Sequence, residues 1–205
     1  MNREGEHSNG IGQVSVIMLR TKASCAFFLI SMFLLSVQSP VLLADTEIRE
    51  TSGRAQTTWS GSVVLNNHYT IPVTDELVIS SCTNVTMSSG VRIYVEGRIT
   101  VEGTSTCPVY FDYSGGGDHM GIQFNSSSNG RGSKIDNASI IHSTYGITVY
   151  GSDPYLANVT IWNPDDVGVD LFNSATPTIR NLVIDEAGQD WNFPTYWRYG
   201  IGLSI

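Results

Sequence analysis

Basic side chains are scarce in this sequence. Past residue 44 there are one lysine and seven arginines against seventeen Asp and Glu, a formal charge of 8 − 17 = −9. Nucleic acids and anionic membranes attract positive charge, so a chain of this sign is expected to avoid both. Good helix formers are also thin after residue 44, and no stretch there places apolar residues at helical spacing. Ser, Thr, Asn and Gly stand in their place, which points to an all-β fold. Catalytic signatures are missing too: there is no Gly-x-Ser-x-Gly, no phosphate loop and no zinc motif. His68, His119 and His142 are scattered without metal-ligand spacing. His119 follows Asp118 in a glycine-rich stretch and is expected at the surface.

Long apolar runs are limited to one, "ASCAFFLISMFLLSV" at 23–37. Lys22 precedes it, and a small residue, Ala44, closes the segment before Asp45. A basic flank, an apolar stretch and a small residue at the end describe a secretory signal, expected over 1–44. Met18 makes a better start than Met1, because residues 1–17 are unusually polar for such a signal. The run is short of the roughly twenty residues that span a bilayer, and an uncleaved anchor is the second reading. Either way the protein is expected to be secreted or held at the cell surface. Of three cysteines, Cys25 lies inside the signal, while Cys82 and Cys107 remain. An even number in an exported chain predicts a disulfide.

Internal repetition is the most informative feature. "NASI" (137–140), "NVTI" (158–161) and "NLVI" (181–184) recur at intervals of 21 and 23 residues. Each is followed by a second word that starts with glycine: "GITV" (146–149), "GVDL" (168–171) and "GIGL" (200–203), with an earlier copy, "GIQF", at 121–124. The second and fourth residues of each Gly word are apolar, and the third varies: Gln123, Thr148, Asp170, Gly202. This is strand alternation, with the varying residue facing outward. A unit of about 22 residues cannot bury its own apolar face, whereas stacked copies turn each inward position into a continuous row. Ile147, Val149, Ile161, Val169 and Leu171 are therefore expected in one core. "LVI" (77–79), "VTM" (85–87), "VRIYV" (91–95), "RITV" (98–101) and "VYF" (109–111) extend the pattern upstream. Residues 45–57 are expected as a linker and 58–205 as the repeat domain. Because "GIGLSI" ends without a polar cap, the domain is expected to continue past residue 205. An antiparallel sandwich is the competing fold, since its strands are also short and evenly spaced.

A period near 22 with short strands, and the stretch "WSGSVVL…ELVIS…VRIYVEGRITVEGTSTCPVYFDYSGG…MGIQF", resemble the right-handed parallel β-helix of the pectate-lyase-like superfamily. They are similar in particular to secreted bacterial and archaeal surface proteins with such repeats. The resemblance implies a solenoid whose coils lie one strand spacing apart, and it says little about function, because the scaffold hosts many. Cys82 and Cys107, 25 residues or about one coil apart, would then sit within bonding distance. The recurring asparagines would occupy a tight, left-handed corner and bond to one another along the axis. "NLVI" keeps its asparagine without the glycan-acceptor pattern, which favours a buried structural ladder at 137, 158 and 181. Asn84 ("NVT") and Asn125 ("NSS") are the better acceptor candidates.

Two stretches are candidate sites. "NPDDVGVD" brings Asp165, Asp166 and the outward Asp170 close in sequence, a set that could bind Ca²⁺ or act as an acid and base on a glycosidic bond. The Gly-His-Gly and Arg-x-Lys words of β-helix hydrolases are absent, and the lyase pattern finds no supported arginine. The insertion 186–199 carries Trp191, Phe193, Tyr196, Trp197 and Tyr199, aromatics able to stack on sugar rings. No cofactor is required by any motif. The expected function is a non-catalytic extracellular or cell-surface module, glycan-binding, adhesive or structural. The alternative is a polysaccharide lyase or glycoside hydrolase acting on acidic polysaccharide.

Overall fold

The computed structural model describes residues 47–51, 54–188 and 201–204. Strands β1 (Glu47–Thr51) and β2 (Arg54–Trp59) form an antiparallel hairpin, within and just beyond the stretch expected as a linker. Every later pairing between strands is parallel. β2, β3 (Ser62–Leu65) and β4 (Tyr69–Ile71) make the first coil. The second holds β5 (Glu76–Ser80), β6 (Asn84–Met87) and β7 (Ile93–Val95), and the third β8 (Arg98–Glu102), β9 (Val109–Tyr113) and β10 (Ile122–Phe124). From there the first two strands of each coil fuse into one bent strand. The fourth coil is β11 (Lys134–Ile141) with β12 (Tyr145–Tyr150), the fifth β13 (Tyr155–Trp162) with β14 (Val167–Phe172), and the sixth β15 (Thr178–Asp185) with β16 (Ile201–Ser204).

The result is an all-β parallel solenoid of about six turns with roughly 23-residue spacing. β12 and β14 pair in parallel, Ile147 opposite Val169, which excludes the antiparallel sandwich. Inward positions stack along the axis as Ile79, Val101, Ile135 and Leu156 on the first face, and as Ile93, Ile122, Ile147 and Val169 on the third, all sealed from solvent. Val149 and Ile161 are equally buried, while Leu171 is half-buried against the same core. Such a core stabilises by burying each apolar chain for roughly 1.5–3 kcal/mol. The glycines that open the first two Gly words, Gly121 and Gly146, are packing requirements. A Cβ on Gly146 would lie 2.4 Å from the Gly168 carbonyl oxygen and 2.7 Å from the Ile161 side chain.

One corner explains the recurring asparagines. Asn137, Asn158 and Asn181 sit where the fused strands bend, with φ of 50°, 53° and 50°. Asn tolerates this left-handed region better than other side chains that carry a Cβ. The Asn181 amide donates to Asn158 Oδ1 at 2.9 Å, and the Asn158 amide donates to Asp136 Oδ1 at 2.9 Å. Asn137 donates to the same carboxylate oxygen, also at 2.9 Å. The ladder thus exists, but it differs from expectation in two ways. It ends on a carboxylate, and Asn158 and Asn181 are exposed rather than buried. The left-handed bend turns these side chains away from the core, so Asn158 and Asn181 lie in solvent.

The same corner in the earlier coils is wider, and there a covalent link replaces the ladder. Cys82 and Cys107 form a disulfide with Cα atoms 4.8 Å apart, and the Cys82 N–H donates to the Cys107 carbonyl at 3.2 Å. The separation is one inter-strand spacing, as stacked coils require.

Candidate functional site

The outward side of the third sheet carries the site. Register places Thr70, Tyr94, Gln123, Thr148 and Asp170 in one line along the axis, the varying third position of the Gly words among them. Gln123, Thr148 and Asp170 floor a groove of about 290 Å³. That volume is at the lower edge of the range for small-molecule sites, roughly 300–1,000 Å³. On the side where the strands begin lie Arg92, Met120 and Tyr145. On the side where they end, Tyr150 and Phe172 stack on each other, with ring centroids 4.7 Å apart and planes 15° from parallel.

Arg92 is held in place from several directions. Its Nε donates to the Met120 carbonyl at 2.9 Å, and its Nη1 donates to Gln123 Oε1 at 2.5 Å. The guanidinium lies 5.4 Å from the Tyr145 ring centroid and 6.0 Å from that of Tyr94, within the range of cation–π attraction. Gln123 passes the order along, its amide donating to Asn125 Oδ1 at 2.8 Å. These contacts rigidify one side of the groove before any ligand arrives.

Asp170 is different. It faces outward from β14, as its place in the Gly word predicts, yet it is only 8 % exposed. Its Oδ1 is buried and has no hydrogen-bond partner among the described residues. A buried acceptor left unpaired costs roughly 1–3 kcal/mol, more when charged. A carboxylate of this kind on the floor of a groove is able to accept a hydrogen bond from a bound donor.

The other sequence candidates are distributed differently. Asp165 and Asp166 sit at the corner between the second and third faces, both half-buried. Their N–H groups donate to the carbonyls of Ser143 and Thr144 at 2.8 and 3.0 Å. Among the described residues no three His, Cys, Asp or Glu side chains gather as a metal site, so Asp165, Asp166 and Asp170 do not converge on one point for Ca²⁺. Asn84 is exposed on β6, and Asn125 is half-buried as the acceptor for Gln123. Trp191, Phe193, Tyr196, Trp197 and Tyr199 lie outside the described residues, as does the segment 1–44. Among the described residues no helix is long and apolar enough to cross a membrane.

His119 corrects an expectation. Its glycine-rich neighbours suggest the surface, but it is fully buried. Nδ1 accepts the Gly121 N–H at 3.0 Å, which places the ring proton on Nε2, 3.1 Å from the Ile141 carbonyl. The loop wraps around the imidazole because these two bonds satisfy it completely. Burial lowers its pKa to about 4, outweighing the Ile141 carbonyl and the carboxylates of Asp118 and Asp112.

Sequence patterns also leave a second cluster unnoticed. His142 stands edge-on between Tyr113 and Trp162, with centroids 4.5 and 5.0 Å away, and its Nδ1 is 3.4 Å from Asp112 Oδ1. The groove's own aromatics carry a faint signal, since Tyr150 and Phe172 each directly follow a Gly word. Arg92 and Tyr145 carry none: Arg92 stands just before β7 and Tyr145 opens β12 opposite Val167, at places whose side chains the repeat does not fix. Comparison with family models, with curated proteins and with solved structures finds no match for this chain.

Proposed function

We propose that this chain is a non-catalytic extracellular or cell-surface module that binds glycan along the groove of its third sheet. The observation that carries the reading is the buried, unpartnered carboxylate of Asp170 on the floor of a groove edged by aromatic rings. Sugars present hydroxyl donors on their rims and C–H surfaces on their faces, and such a groove offers a partner for each. The three-faced coil and its repeat length support kinship with right-handed parallel β-helix proteins of the pectate-lyase-like type. The disulfide and the N-terminal apolar run support export. Binding is favoured over hydrolysis by the carboxylate count. Glycoside hydrolysis ordinarily uses two carboxyl groups roughly 5–9.5 Å apart, and Asp170 is the one carboxylate among the groove's lining residues. Affinity electrophoresis of the exported protein through gels containing different polysaccharides tests the proposal. Retardation by at least one polysaccharide, with no new reducing or unsaturated ends released from it, is the expected outcome. Release of such ends would favour the enzymatic alternative, and free migration through every gel would overturn glycan binding.

A further inference from the structure

We infer that the groove selects an uncharged, hydroxyl-rich glycan and rejects both uronate and amino-sugar polymers. This assignment rests on the glycan-binding reading of the same groove.

The argument is one of charge and of which charges are already engaged. Two charged side chains line the groove, Arg92 and Asp170. Two of the five N–H groups of the guanidinium are engaged internally, by a carbonyl and an amide oxygen, and two aromatic rings lie beside it. It braces the wall three coils before Asp170, so a carboxylate that paired with its remaining N–H groups would still leave the Asp170 acceptor unmet. The carboxylate, in contrast, has an unmet acceptor on a nearly closed floor. A uronate brought there would set two anions together where solvent screens them little, on a chain whose net charge is already −8. An ammonium would find one anion but would share the groove with a fixed guanidinium. A neutral hydroxyl meets neither obstacle: it donates to Asp170 Oδ1 and accepts from groups on the rim. Thr148, beside Asp170 in the register and only 5 % exposed, adds a hydroxyl to the floor. The lining residues come from four successive coils, so the groove runs along the axis for about three inter-strand spacings, roughly 14 Å. A short stretch of polysaccharide fits this better than a single ring does.

The experiment uses the full chain and four polymers: a galactomannan and a mixed-linkage glucan as uncharged probes, polygalacturonate as the anionic probe, and chitosan as the cationic one. Dissociation constants are measured at near-physiological salt. An uncharged polymer should bind at least tenfold more tightly than polygalacturonate or chitosan. Asp170→Asn keeps the shape and exchanges a charged hydrogen bond for a neutral one, so it should weaken that binding about tenfold. Phe172→Ala removes an exposed ring with little consequence for the core and should weaken it as well. Tighter binding of polygalacturonate or chitosan would overturn the inference while leaving glycan binding intact. Uncharged binding that both variants leave unchanged would show that the ligand sits elsewhere and would also overturn it. Failure to bind any of the four would retire both this inference and the reading beneath it.

Discussion

Acid should loosen this solenoid over a window set by one side chain. His119 is buried as a neutral ring, with Nδ1 committed to accepting the Gly121 N–H and Nε2–H to the Ile141 carbonyl. Protonation would turn Nδ1 into a donor facing a donor and place a charge inside the stack. The folded pKa is lowered to about 4, against 6.5 for an ordinary histidine. Between those values the unfolded chain binds a proton that the folded chain refuses, so stability rises with pH. The full contribution is present above about pH 6.5 and is lost as the pH falls toward 4. A gap of about 2.5 pH units corresponds to about 3 kcal/mol. Carboxylates act lower down. For Asp136, burial pushes the pKa up, but hydrogen bonds from Lys134 and Asn158 outweigh it and hold the pKa below 3.8, outside the histidine window. Urea unfolding followed by tryptophan fluorescence at pH 7, 5.5 and 4.5 reads the effect directly. His119→Gln should lower stability at pH 7 and flatten the profile between pH 7 and 4.5. A wild-type profile already flat across that range, or one equally steep in the variant, would refute the reasoning.

Three further outcomes are expected. Val169→Asp places an unpaired charge in a position with no solvent exposure and should cost several kcal/mol, seen as loss of the folded β signal by circular dichroism or as insoluble protein. Replacing Cys82 and Cys107 by serine opens a 25-residue loop and should lower stability by about 3 kcal/mol; two titratable thiols in the denatured, unreduced protein would contradict the bond altogether. Asn158→Ala loses both ladder bonds and strains a positive-φ position, for about 1–3 kcal/mol, whereas Asn158→Gly should recover the strain and lose only the bonds. Equal midpoints for those two variants in thermal unfolding would show that the corner's conformation is not what the asparagine serves.

Much of the architecture is legible because a solenoid writes its period into the chain. The alternation in "GITV" and "GVDL" determines which residues face in, and the structure pairs them in that register. The spacing of Cys82 and Cys107 carries the same information for the earlier coils. Local pattern fails wherever the corners decide. The glycine neighbours of His119 point to the surface, but those glycines let the loop close over the ring. The ladder asparagines are expected in the interior, but a bend of a single residue leaves its apex outside. Asp170 faces outward as its place in the Gly word predicts, but its place in a groove is not written in that word, because the residues that line the groove with it come from four coils. Grouping it with Asp165 and Asp166 relies on adjacency in sequence, which a strand and a corner do not preserve in space.

The asparagine corner also determines where this chain tolerates a change of length. In the last three coils that corner is one residue long, at 137, 158 and 181, and each is bonded to a side chain at the same corner. An insertion there would shift every following side chain to the opposite face of its strand and would break the ladder at once. The other two corners already differ widely between coils: 125–133 against 151–154 on one, and 114–121 against 142–144 on the other. Their exposed tips lie outside the stacked rows, so extra residues can leave the coil there and return without disturbing the register. One edge of the solenoid therefore works as a ruler and the other two as mounting points. A peptide grafted between Asn129 and Gly130, both exposed, would be displayed at the surface with the coil above and below it still in step.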